Sequence, residues 1–102
     1  MPYFIFRGYD APAIAAEIRA RVRPDHRAYI REVHHGVRAV AGGMVVTDHA
    51  EGVTGTMLIL EGPDRAVIMR YLAGDPYWDA GLFARYEVDR WDWGLGPPLR
   101  EG

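Results

Sequence analysis

The side chains that could do chemistry in this 102-residue sequence are few in kind. The chain contains no Cys, Ser, Lys, Asn or Gln, which excludes thiolate and serine nucleophiles, Schiff-base lysines and thiolate metal sites. His, Asp, Glu, Tyr, Arg and three Thr remain. Imidazole can accept a proton near neutral pH, and a carboxylate can orient the ring and stabilise its cation. Acid–base chemistry is therefore the first to consider.

Two candidate groups, His26 and Asp75, lie far apart in the sequence but are expected to meet at one end of the fold. The predicted elements place His26 in the first turn of one core helix and Asp75 just after the other. Right-handed crossovers then bring these two helix ends to one rim of the sheet. A helix N-terminus favours a neutral, proton-accepting His26, whereas a carboxylate stabilises the cation once it forms. The structural alternative is a core histidine and an aspartate that forms a turn before proline.

Further candidates are substrate contacts near this pair. Arginines cluster at positions 19, 21, 23 and 27, which predicts a largely solvated face. Arg19 or Arg23 could bind a substrate carboxylate through two parallel hydrogen bonds. Tyr77 follows Asp75 closely and is the third predicted substrate contact.

Metal binding is not indicated by the remaining histidines. His34 and His35 are adjacent on a predicted helix, so they point about 100° apart and cannot share a metal ion. No zinc, calcium or HExxH spacing is present. We therefore expect neither a metal nor a cofactor.

Four strands are predicted from runs of aromatic and β-branched residues bounded by Gly, Pro and Asp. They cover residues 3–9, 40–47, 53–61 and 83–93. The middle two form a hairpin around a polar loop at 48–52. Residues 75–82 are predicted to be a structured loop, and 94–102 a loose tail.

The helices are predicted from apolar residues at helical spacing. Asp10 or Ala11 is expected to cap a first segment over 12–22. Pro24 interrupts it, because proline is costly inside a helix but starts one well, and a second helix follows over 24–37. Another helix opens at 62–64 and runs to about Ala73. The 12–22 segment is additional to the two core helices.

This order is strand–helix–strand–strand–helix–strand, which predicts a ferredoxin-like α+β fold. Its four-stranded antiparallel sheet would carry helices on one face only. The whole chain, 1–102, is expected to be one domain.

The uncovered sheet face predicts a homodimer. Residues 3–6 and 57–60 are apolar on both faces of their strands, so a bare face would expose a large apolar patch. A second copy packed sheet to sheet would cover it, although a terminal tail is the alternative. Arg85, Glu87 and Asp89 share one face of the last strand and would place charge at that edge.

Charge and hydropathy limit the other partners. A net charge of −2 argues against nucleic-acid binding, and no run of 18 apolar residues could cross a membrane. The first residues lack the cationic start of a signal peptide, so we expect a cytoplasmic protein.

Three segments resemble the YCII-related (YciI-like) family: RPDHRAYI at 23–30, the glycine pair at 42–43, and GDPYWDAGLF at 74–83. The resemblance implies a dimeric α+β barrel with an active site built from a His and an Asp, which match His26 and Asp75. Relatives include an enzyme that removes HCl from a chlorinated aromatic-derived substrate. Many relatives have Gly-Pro where this chain has Gly42-Gly43, and the 12–22 segment is longer here, so substrate identity does not carry over.

The sequence and the resemblance together predict a cofactor-independent enzyme for a small anionic organic substrate. His26 would act as the base and Asp75 as its partner in an elimination or isomerisation. Two alternatives remain: a non-catalytic small-molecule-binding or accessory dimerisation module, and a small cofactor-free oxygenase.

Overall fold

The computed structural model describes residues 1–96, and the predicted tail at 94–102 lies mostly outside this range. Seven elements follow one another along the chain. They are β1 (Tyr3–Asp10), α1 (Ala15–Ile30), β2 (Arg38–Val46), β3 (Val53–Glu61), α2 (Arg65–Ala73), α3 (Pro76–Asp79) and β4 (Phe83–Trp91). Within residues 1–96, no helix is both long enough and apolar enough to cross a membrane.

The four strands form one antiparallel sheet in the order β2-β3-β1-β4. β1 lies inside the sheet because its run of alternating buried residues pairs with a strand on each side. Phe6 lies opposite Leu58 of β3 and Val88 of β4. The predicted ferredoxin-like α+β fold with a four-stranded antiparallel sheet is therefore confirmed.

The main core lies between this sheet and α2. Side chains from one face of β1 and β3 pack against Ile68, Tyr71 and Leu72 of α2, all of which are almost fully buried. A second cluster joins α1 to the segment after α2, with Ile18 and Val22 packed near Tyr77 and Leu82. Burial of this apolar surface holds both helices on the same side of the sheet.

The prediction of two helical segments separated at Pro24 was wrong. The structure has one helix that runs through the proline, which is exposed. Proline removes a single main-chain hydrogen bond, and on a solvent-facing side this loss can be tolerated. The buried residues Ile18, Val22 and His26 recur every four positions, so one apolar stripe passes the proline without a break.

The ends of α1 also differ from the prediction. The helix begins at Ala15 and not near Pro12, and Asp10 is the last residue of β1 and not a cap. At the other end, α1 stops at Ile30 instead of continuing to 37. His35 and Gly36 both have positive φ, which forms a tight turn that no helix can contain.

The second half of the chain depends on two aspartate caps. Asp64 accepts a hydrogen bond from the Val67 N–H at 3.0 Å and starts α2. Asp75 accepts one from the Tyr77 N–H at 2.9 Å and starts α3, a four-residue helix within the predicted 75–82 loop. The loop is ordered because proline follows the cap at the first helical position.

The sheet face away from the helices is mixed in character. Ile5, Met57 and Ile59 lie on it, and the strand register adds Glu87 and Asp89 from β4. Met57 is exposed, whereas Ile59 is buried. Nothing in the single chain shows what covers this face, so the homodimer stays a prediction.

The glycine pair in β2 provides a test of the packing between β2 and β3. A Cβ atom on Gly42 would lie 2.5 Å from Leu58 Cδ2 and 3.0 Å from the Met57 carbonyl oxygen, whereas one on Gly43 would meet nothing within 4 Å. We predict that Gly42→Ala lowers the free energy of unfolding by about 1–3 kcal/mol through overpacking. Gly43→Ala is the matched control and should be neutral or stabilising by up to about 1 kcal/mol. Urea denaturation measures both, and equal effects would contradict the packing.

Candidate active site

His26 and Asp75 are in direct contact. The His26 Nδ1 atom lies 2.9 Å from both carboxylate oxygens of Asp75, and both side chains are buried. α1 supplies the histidine from its apolar stripe, and the cap of α3 supplies the aspartate. The two residues are 49 positions apart, and the packing of α1 against α3 brings them together.

The hydrogen bonds around Asp75 indicate which ring nitrogen of His26 carries the proton. The Tyr77 N–H donates to Asp75 Oδ1, so the aspartate side chain is an acceptor there. When Asp75 carries its negative charge, it accepts from His26 as well, and the proton of the neutral ring then lies on Nδ1. The lone pair on Nε2 is left free, and that nitrogen has no hydrogen bond to any residue in 1–96. A ring held in this way can take up a proton through Nε2.

The position of His26 in its helix differs from the prediction. His26 lies in the C-terminal half of the 16-residue helix α1 and not in a first turn. The field of a helix N-terminus falls off within one turn, so it does not act on this ring. The prediction that His26 lies in the first turn of a core helix was wrong because Pro24 does not begin a new helix.

Tyr77 forms the floor under the histidine. Its ring stacks on His26 with 4.0 Å between ring centroids and 16° between planes. On the same ring, the Arg19 guanidinium carbon lies 5.2 Å from the centroid. Burial raises the pKa of the Tyr77 hydroxyl, although the nearby charge of Arg19 acts against it. Tyr77 therefore orients His26, and it also lines the adjoining cavity.

Arg19 is held in place from the sheet. Its Nε and Nη2 atoms donate to the two oxygens of Asp10 at 2.9 and 2.8 Å, and Nη2 also donates to Thr56 Oγ1 at 3.0 Å. Burial alone would lower the pKa of Arg19, but the hydrogen bond and charge of Asp10 outweigh it and raise that pKa. Only Nη1 is free of these bonds, so Arg19 has few donors left for a ligand.

A cavity of about 260 Å³ opens beside the histidine, between α1 and the β2–β3 hairpin. His26, Tyr77, Arg19 and Arg23 line it together with Gly42 and Gly43. It adjoins a wider cleft of about 1330 Å³ along α1, with which it shares several lining residues. Within residues 1–96, no group of three His, Asp or Glu side chains could hold a metal ion.

All five residues predicted for the site belong to this region. His26, Tyr77, Arg19 and Arg23 line the small cavity, and Asp75 lies behind the histidine. Arg23 is exposed, and no carboxylate in the described part of the chain forms an ion pair with it. The geometry does not test their roles in binding or catalysis, which stay predictions.

Sequence reasoning missed the residues that support the site. Asp10 was interpreted as a helix cap, and Thr56 was not considered, yet both bind Arg19. Arg27 and Arg31 also line both cavities. The four-residue spacing of arginines at 19, 23, 27 and 31 was a signal that could have found them, since residues four apart share one helix face.

The family follows from the comparison with known families. A model of the YCII-related domain matches residues 1–92. The chain belongs to this family. The matched range includes both His26 and Asp75. A search of curated protein sequences finds no match.

Solved structures support the fold. The chain is similar to 5-chloro-2-hydroxyhydroquinone dehydrochlorinase (TftG) from Burkholderia phenoliruptrix, in complex with 2,5-dihydroxybenzoquinone. The TM-score is 0.75 and the identity 28%, over 90% of this chain and 95% of that chain. A structure from Bacteroides thetaiotaomicron, assigned to the antibiotic biosynthesis monooxygenases, gives a TM-score of 0.54 at 16% identity, over 99% of this chain and 95% of that one. The second similarity concerns the fold alone.

Burial, and after it the charge of Asp75, raises the pKa of two tyrosines, Tyr29 and Tyr71. Tyr29 donates from its hydroxyl to the Tyr71 carbonyl oxygen at 2.7 Å. The Tyr71 hydroxyl is buried and has no hydrogen-bond partner within residues 1–96. Burial, and after it the charge of Asp75, raises the pKa of Tyr71 well above its ordinary value.

This raised pKa predicts a pH-dependent stability. The pKa of Tyr71 is higher in the folded chain than in the unfolded chain. The contribution of Tyr71 to the free energy of unfolding is therefore complete below about pH 10, and it is lost as the pH rises towards the pKa of Tyr71 in the folded chain. Tyr71→Phe should be neutral or slightly stabilising at pH 7 and should reduce the loss of stability at alkaline pH. Urea denaturation between pH 7 and 11 measures this. Tyr86→Phe, at an exposed position, is the control, and an unchanged alkaline slope in Tyr71→Phe would refute the assignment.

Proposed function

We propose that this protein is a cofactor-independent enzyme in which His26 transfers a proton during an elimination or isomerisation. The observation that carries the proposal is the buried His26–Asp75 contact beside an open cavity. A buried carboxylate that orients a histidine, with the other ring nitrogen free, is the arrangement of a general base. The membership in the YCII-related family is compatible with this chemistry.

The proposed step begins with a substrate that has an acidic C–H next to a carbonyl group, which a hydroxylated ring such as a hydroxyhydroquinone presents in its keto tautomer. His26 Nε2 takes that proton, and the imidazolium ion is stabilised by Asp75. In an elimination, the C–H electron pair forms a new C=C bond and a leaving group such as chloride departs with its own electron pair. In an isomerisation, the same proton returns at another carbon atom. Neither course needs an oxidant or a second substrate.

The proposed substrate class is a small anionic or hydroxylated ring compound. Three observations support it: the arginines that line the cleft, the size of the inner cavity, and the similarity to TftG. TftG acts on a chlorinated hydroxyhydroquinone and binds 2,5-dihydroxybenzoquinone, so these two compounds are the first to test here. Arg23 is the proposed anion contact, because its guanidinium lacks an ion-pair partner in the described chain.

We further propose that two copies pair through the open sheet face. The apolar side chains of Ile5, Met57 and Ile59 at its centre support this, since Met57 is exposed in the single chain. Around them, charged side chains of β4 and an arginine–tyrosine stack provide a polar edge. In that stack, the guanidinium carbons of Arg7 and Arg85 lie 4.0 and 3.5 Å from the centroid of one tyrosine ring.

His26→Gln is the variant that tests the catalytic proposal. Wild type should consume a chlorinated hydroxyhydroquinone and release chloride, and His26→Gln should lower kcat/KM by about 10²–10⁴ because the proton acceptor is lost. Chloride release and the ultraviolet spectrum of the ring measure turnover. His49→Gln, in the exposed hairpin loop, is the matched control and should keep wild-type activity.

Three results would count against the proposal. Undiminished turnover in a folded His26→Gln variant removes the role of the base. Binding without consumption of any compound in a panel of hydroxylated and halogenated ring compounds favours a binding module. Oxygen uptake that accompanies turnover indicates the oxygenase alternative.

Met57→Glu is the variant that tests the sheet-face dimer. Wild type should have twice the 11.5 kDa chain mass in sedimentation equilibrium. Met57→Glu should weaken the association at least about tenfold, because it buries an unpaired charge in an apolar interface. Val33→Glu changes an exposed apolar residue outside the sheet and should leave the mass unchanged. A monomeric wild type at all concentrations would exclude the dimer.

A further inference from the structure

A row of four arginines runs along the cleft side of α1. Arg19, Arg23, Arg27 and the helix cap residue Arg31 recur every four residues, and all four line both the inner cavity and the wider cleft. Residues four apart lie above one another on a helix. We call this set the arginine row.

The charge of the arginine row is largely unbalanced. Among residues 1–96, Asp10 is the only acidic residue that lines either cavity, and it is bound to Arg19. Within residues 1–96, Arg23, Arg27 and Arg31 form no ion pair. The Arg31 guanidinium donates to the main-chain oxygen of Arg27 at 3.1 Å, its only hydrogen bond within this range. The cleft therefore carries a local positive charge in a chain with a net charge of −2.

The rest of the helix shows that this imbalance is confined to one side. Arg21 is exposed and pairs with Glu17 at 2.6 Å, four residues before it. Like charges at this spacing destabilise a helix by about 0.2–0.5 kcal/mol per pair, whereas opposite charges stabilise it by a similar amount. The arginine row contains three such pairs of like charges, each four residues apart, and it faces a cavity. A bound anion would remove that repulsion.

His26 lies between the two halves of the arginine row. It follows Arg23 by three residues and precedes Arg27 directly, and it lines the same inner cavity. The helix rises about 6 Å from Arg23 to Arg27 and about 12 Å from Arg23 to Arg31. A ligand next to the histidine can therefore contact guanidinium groups on both sides at once.

We propose that Arg27 and Arg31 form a second anion-binding subsite, so that the cleft takes substrates with two negatively charged groups on either side of the reacting carbon. One group binds at Arg23, and the other binds about 6–12 Å further along the helix. The position of the reacting carbon rests on the proposed function of His26. The binding of a dianion does not depend on that proposed function, and it can be measured without turnover.

The test compares ligands that differ by a single charge. Dicarboxylates from succinate to sebacate are titrated by calorimetry beside the monomethyl ester of each. Wild type should bind at least one dicarboxylate of this series about tenfold more tightly than its ester, because the second carboxylate gains charge-assisted hydrogen bonds. The preference should shrink as salt is raised, since the three unpaired arginines are exposed.

Variants on opposite sides of α1 locate the effect. Arg27→Gln with Arg31→Gln should reduce the preference to about onefold and leave ester affinity within about twofold, since the ester binds the first site only. Arg21→Gln is the matched control, because it removes a positive charge from the same helix outside the cleft. Circular dichroism checks that each variant is folded.

The outcomes separate this subsite from the catalytic proposal. No preference for any dicarboxylate in wild type, or an undiminished preference in the double variant, would overturn the subsite. His26→Gln should keep the preference while it loses turnover. If His26→Gln keeps both the preference for a dicarboxylate and the turnover, the subsite stands and the catalytic role of His26 fails.

Discussion

The contact between His26 and Asp75 is the constraint on which the arrangement of the site depends. Asp75 is 3% exposed, and a buried carboxylate without donors would cost several kcal/mol. The His26 ring and the Tyr77 N–H supply those donors at 2.9 Å. Helix α1 and the α2–α3 connection must therefore keep a fixed separation, and the stacked Tyr77 ring fills the space between them.

A second polar contact holds α1 on the sheet near its other end. Arg19 reaches from the N-terminal half of the helix to Asp10 on β1 and Thr56 on β3. With both ends of α1 held, the helix cannot turn about its axis without breaking a buried hydrogen bond. The face between these two contacts is the one that lines the cleft, so the arginine row and the histidine keep their orientation towards it.

The strands could be predicted closely because their apolar runs are short and end at turn residues. The predicted strand 53–61 agrees with β3, and β1 and β2 differ by one or two residues. The helices were less predictable. Pro24 was interpreted as a break, yet the stripe of Ile18, Val22 and His26 continues through it. Tertiary burial of that stripe outweighs the local cost of the proline.

The sequence by itself limited the kinds of chemistry open to this protein, because the residue types that are absent exclude serine and thiolate nucleophiles and Schiff-base lysines. It also determined the order of elements, which is encoded in local apolar spacing, and the family. Only the tertiary structure decided the separation of His26 and Asp75 and the partners of Arg19. These contacts join residues distant in the chain, and their geometry depends on how two helices pack against one sheet. Local spacing carries no information about that packing.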